Sequence, residues 1–141
     1  MTTSRYGLAV ATVLLTATIA MPSSYGQAPG SATKPAMTAK LIDPDKKAAA
    51  RAATVEVTTT GVELVDPALS NEKPVAGQGH LHYQLDKGAV IATPSAKLSF
   101  HELTPGPHTI LVMLAGNDHK PLGPQQQLTL TVPAQPQKAG Y

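Results

Sequence analysis

Apolar and polar residues alternate with a period of two through most of the chain from Thr54 onward, in short runs broken by Gly, Pro, Asn and Asp. Thr54–Thr60 is rich in β-branched residues and reads as a strand. Further strands are predicted within the histidine-bearing stretch Gly77–Asp86 and over Ala89–Ala92, Ala96–His101, Thr109–Ala115 and Gln127–Val132. Lys40-Leu41-Ile42 suits a short first strand stopped by Asp43-Pro44-Asp45. The same Asp-Pro start, followed by Lys46–Arg51, also suits a single helical turn capped by Asp43. Gly61–Gly77 is a long polar connection holding Pro67, Asn71 and Pro74.

Alternation also assigns faces. Leu81, Tyr83 and Leu85 fall on one side of their strand, and His80, His82 and Gln84 on the other. Leu98 and Phe100 point inward, as do Ile110, Val112 and Leu114, and later Leu128, Leu130 and Val132. Thr109, Leu111 and Met113 then share the outer face with His80 and His82. That apolar strip either serves self-association or a protein partner, or is covered by the Gly61–Gly77 connection carrying Val62, Leu64 and Val65. About seven short strands with close turn signals and no long helix predict an all-β, antiparallel β-sandwich of immunoglobulin-like form.

One segment sharpens that expectation. Leu103-Thr104-Pro105-Gly106-Pro107-His108-Thr109 resembles the corner between strands E and F of immunoglobulin-like and fibronectin-like domains. There a Tyr hydroxyl bonds back to the corner backbone. His108 occupies that place here, so an imidazole N–H is expected to make the bond and His108 is expected to be structural.

Composition adds the compartment. Arg5, the apolar run Leu8–Ala20 and the small residues Ser23, Ser24, Gly26 and Ala28 form a signal-peptide layout over residues 1–28. An uncleaved anchor is the alternative. Residues 29–39 read as a flexible lead-in, 40–133 as the folded domain and 134–141 as a frayed tail. No second apolar run of membrane length follows, so no membrane span is expected after cleavage, and the location is periplasmic or secreted. The chain contains no cysteine, which excludes disulfides, thiolate chemistry and cysteine metal sites. A net charge of +2 and a single Phe, without a basic strip interleaved with aromatics, argue against nucleic-acid binding.

The chemistry lies in the histidines. Five are present, and His80 and His82 sit two apart on one strand, so both imidazoles point the same way. In immunoglobulin-like lettering they begin strand C, beside the end of strand F. Strand F runs into Gly116-Asn117-Asp118-His119-Lys120-Pro121, which brings His119 and Asp118 within reach of the pair. His80, His82 and His119, with Asp118 as a ligand or as an orienter of one, suit Cu(II) or Zn(II). Met37 and Met113 are too few to suggest a methionine-type copper site. Solvated or hydrogen-bonding histidines are the competing reading, and His101 and His108 fall outside the set. No nucleophile elbow, H-E-x-x-H, P-loop or dinucleotide motif is present, so no catalytic role is expected.

The Gly77-x-Gly79-His80-x-His82-x-x-x-Asp86 segment, the L-x-P-G-x-H-T corner and His119-Lys120-Pro121 before the last strand resemble a group of small exported bacterial domains of unknown function. The resemblance spans roughly Val55–Val132, and the matching positions are His80, His82, Asp86, Pro105, Gly106, His108, Thr109 and His119. It departs from the triple-histidine version of the pattern at Leu81. The resemblance implies export, an immunoglobulin-like fold and a shared histidine pattern, and implies no activity. Two functions follow as expectations. The first is a non-catalytic binding module for a divalent metal. The alternative is a protein-interaction or envelope-structural module that uses the C–F–G face.

Overall fold

The structure is a computed structural model and describes residues 33–136. The export signal expected over 1–28 and the last part of the tail lie outside the described residues. Two sheets face each other. One has the order β1 (Ala36–Leu41), β2 (Ala53–Thr60), β6 (Lys97–Phe100). The other runs β3 (Glu63–Leu64), β4 (Gln78–Leu85), β7 (Gly106–Ala115), β8 (Pro121–Val132), with β5 (Val90–Thr93) also paired to β4. All pairings are antiparallel except β3 with β4. This is the all-β sandwich expected from the alternation, and β4, β7 and β8 take the places of strands C, F and G. Among the described residues no helix is long and apolar enough to cross a membrane.

The core forms where the alternation put it. Leu81, Tyr83, Ile110, Val112 and Leu114 from one sheet meet Val55, Val57 and Ala53 from the other, all buried. Tyr83 carries its hydroxyl into this core and donates it to the Ser95 carbonyl at 2.8 Å. A buried phenol needs such a partner, and burial pushes its pKa up to about 12.

Several boundaries differ from expectation, each for a local reason. β1 begins at Ala36, so residues read as the end of the lead-in are in strand. Ala and Lys are weak strand formers, and pairing holds them there: Met37 faces Thr59 and Ala39 faces Val57 on β2. The outer edge of β1 is then closed by a side chain. Gln126 of β8 accepts from the Ala39 N–H and donates to the Ala39 carbonyl, both at 2.8 Å, as a neighbouring strand would.

The turn after β1 is a helix, α1 (Pro44–Ala49). Asp43 holds the N-cap position with φ 44° but makes no side-chain capping bond, contrary to its expected role. Its left-handed backbone is not the extended conformation that side-chain capping uses, and its carbonyl accepts from the Lys47 N–H at 2.9 Å.

The long connection does not cover the outer face. Its Glu63–Leu64 adds a short parallel strand beside the start of β4, with Leu64 opposite Gly79. Leu64 therefore shares the inward face, and it packs with Val62 against the core. A groove of about 600 Å³ lined by Gln84, Asp86, Thr109, Leu111 and Gln127 stays open on the outer face.

Candidate metal centre

β4 enters the sheet through Gly77, which has φ 77°, and Gly79, where a Cβ would collide with the Ala115 carbonyl. Close approach of β4 to the end of β7 thus depends on glycine immediately before His80. His80 lies opposite Ala115, and His82 opposite Met113. Beyond β7 the chain turns through Gly116–His119, closed by a bond from the His119 N–H to the Gly116 carbonyl at 2.9 Å. Asn117, buried in this turn, donates to the Gln78 side chain at 3.2 Å and ties the turn to the start of β4. His119 itself adopts φ 61°, a left-handed backbone that histidine tolerates better than most residues.

The turn carries His119 back over the histidine pair. His80 Nε2 lies 2.9 Å from His82 Nε2 and 3.2 Å from His119 Nδ1, and the latter two are 3.3 Å apart. The ring of His80 packs against both others, with centroids 4.8 and 4.6 Å away. His80 is fully buried, His82 half-buried and His119 exposed. His80 thus forms the floor of a site that opens through His119.

Three mutually adjacent ring nitrogens cannot all be hydrogen-bonded to one another. Each bond needs one donor and one acceptor, so two of three nitrogens always share a role and oppose each other. A single cation removes the conflict by taking three lone pairs at once. A tetrahedral ion with bonds of about 2.0–2.1 Å sets its nitrogen ligands about 3.3 Å apart, and a right-angled pair about 2.9 Å. The observed triangle falls within that span.

Electrostatics favour the lone-pair form. Burial, with smaller contributions from His82 and His119, lowers the His80 pKa to about 4. Burial and then His119 lower that of His82. Neutral imidazole is the state that binds metal. The His80 Nδ1 has no protein partner although it is buried.

Asp118, the fourth expected residue, is not among the converging groups. Its carboxylate accepts from the Lys120 N–H at 3.3 Å and lies 3.7 Å from the Lys120 ammonium. His101 is exposed at the end of β6.

His108 stands at the opposite end of the sheet, as a structural residue. Its Nε2 donates to the Thr104 carbonyl at 2.7 Å, the corner bond expected from the sequence, and its Nδ1 donates to Asp86 at 2.6 Å. Both partners are acceptors only, so the ring carries both protons. The Thr104 carbonyl, and then the Asp86 carboxylate, hold its pKa above the usual histidine value. Asp86 in turn is held low, first by the Thr109 N–H at 2.8 Å and then by His108.

Comparison with protein families, with characterised proteins and with solved structures gives no match. The functional reading therefore rests on the geometry.

Proposed function

We propose that this chain is an exported, periplasmic or secreted, non-catalytic module that binds a transition-metal ion through His80, His82 and His119. Cu(II) and Zn(II) are the first candidates, because both take imidazole nitrogen readily. The observation that carries the reading is the triangle of ring nitrogens with sides of 2.9, 3.2 and 3.3 Å, which hydrogen bonds alone leave in conflict. Export rests on the signal-like first residues, and kinship with the small exported histidine-strand domains rests on the motifs quoted above. Equilibrium dialysis of the metal-stripped chain against Zn(II) and Cu(II) tests the binding. One equivalent retained by the wild type and none by the His80→Ala/His82→Ala double variant is the expected result. Equal retention by both proteins would remove the site.

A second reading, self-association or docking of a protein partner on the outer face, is favoured by the open groove around Leu111 and by Val90, which is 51% exposed on the neighbouring β5. Sedimentation of the wild type and of Leu111→Asp separates the two. A dimer that dissociates in the variant, without metal uptake, would support this reading in place of the first.

A further inference from the structure

Imidazole alone does not separate zinc from copper, since both accept it. Sulfur does. The chain has no cysteine, and the described residues include two methionines, Met37 and Met113. Met37 belongs to β1 in the other sheet and packs against the core. Met113 is placed differently. It lies directly opposite His82 in the β4–β7 register. Its neighbours Val112 and Leu114 are fully buried, which sends the Met113 side chain to the face that carries His80 and His82.

Cross-strand partners on one face have Cβ atoms about 4.5–5.5 Å apart, and an unbranched thioether with three rotatable bonds can adjust its sulfur within that space. The β7–β8 pairing steps from Met113 opposite Gln125 to Ala115 opposite Pro121. The extra residues, Leu122–Pro124 against Leu114, lie on β8, so β7 keeps its alternation through Met113. The same stretch of β7 leads straight into the turn that carries His119. Met113 and His119 are thus presented by one continuous piece of chain, against the two histidines of β4.

Building on the metal-binding reading, we propose that Met113 supplies a thioether ligand to the ion held by His80, His82 and His119, and that the site thereby selects copper, above all Cu(I), over zinc. Thioether sulfur is a soft donor that favours Cu(I). Three neutral imidazoles and a neutral thioether also leave the bound Cu(I) with a single positive charge in a half-buried site. That places less charge there than a divalent ion would, with no carboxylate among the converging groups to offset it.

The test is a pair of chelator competitions on the full-length, metal-stripped protein, with Cu(I) under reducing conditions and with Zn(II), for wild type and Met113→Leu. The substitution nearly conserves volume, so the fold is retained. Loss of a ligand should weaken Cu(I) by at least about tenfold. Zn(II) affinity should change by less than about twofold, since its three imidazoles remain. In the unsubstituted protein, the Met113 ε-methyl NMR signal should move on addition of one equivalent of Cu(I) and stay in place with Zn(II). Equal Cu(I) affinity in both proteins, with a stationary methyl signal, would overturn the thioether ligand and leave the three-histidine site standing. A wild type that binds neither ion would overturn the metal reading itself.

Discussion

Strands β4 and β7 carry a histidine arrangement at each end, and the two ends hold the same side chain in opposite states. At one end His80 sits on the floor of a three-imidazole cluster, with its pKa lowered to about 4 by burial and by His82 and His119. At the other end His108 is also buried, yet its pKa is raised by the Thr104 carbonyl and the Asp86 carboxylate. Burial alone would neutralise both rings. The difference lies in the partners. Two hydrogen-bond acceptors fix both protons on His108, whereas other imidazoles offer His80 nothing that favours charge. One end is a clasp made with a proton, and the other presents lone pairs to a cation.

The contrast can be broken at several points. Metal should act on one end only and should give the largest effect. An ion at about 1,000 times its dissociation constant stabilises the folded chain by about 4 kcal/mol. That gain should vanish in His82→Ala and persist in His108→Ala, as read by denaturant unfolding with and without metal. A gain kept by His82→Ala would show that the ion binds elsewhere.

Acid should separate the ends next. For His80 the unfolded chain takes up a proton near pH 6.5, while the folded chain resists until about pH 4. The unfolded state then binds more protons between those values, so the metal-stripped protein loses stability as pH falls, by about 3 kcal/mol across the window. His108 has the opposite sign. Its contribution is complete below pH 6.5 and is lost as pH rises through its raised folded value. Asp86, held below its ordinary value, contributes above about pH 3.8, and that contribution is lost as pH falls further. Unfolding curves from pH 4 to 8 should therefore have a shallower acid slope in His80→Ala, with the lowered His82 keeping the remainder, and should lose their slope above pH 6.5 in His108→Ala. Identical slopes in all three proteins would contradict the assignment of charge.

At a single neutral pH, His108→Ala should cost about 1–3 kcal/mol by leaving the Thr104 carbonyl and one Asp86 oxygen without their donor. Its melting temperature should drop while its metal affinity stays at the wild-type value. The smallest effect belongs to Asp118. Its carboxylate is turned to Lys120, so Asp118→Asn should change metal affinity by less than about threefold, in keeping with the modest strength of exposed ion pairs. A larger loss in calorimetric titration would return Asp118 to the ligand set.

The parts of this molecule visible in its sequence are those set by a period of two. Leu81, Tyr83 and the buried positions of β7 obey it, and so does the shared face of His80 and His82, while the approach of His119 followed from the immunoglobulin-like strand order. What escaped was set by partners far along the chain. β1 holds Ala36–Ala39 in strand through β2 and the Gln126 side chain, neither of which Ala or Lys residues announce. The first half of β8 contains Gly123 and Pro124, which read as a break, and the β7–β8 bulge accommodates them. Alternation placed His80 on an outward face, yet His80 is fully buried because a turn some forty residues later returns over it. The pairing of His108 with Asp86 likewise needs the register of β4 and β7, which fixes two residues that sequence separation leaves unrelated.

The central claim concerns three particular nitrogens, and imidazole ¹⁵N NMR of the histidine-labelled protein addresses them directly. On addition of one equivalent of Zn(II), the Nε2 signals of His80 and His82 and the Nδ1 signal of His119 should move together to metal-bound positions, while His101 and His108 stay in place. A titration in which those three signals do not move, or in which His108 or His101 responds instead, would contradict the shared site.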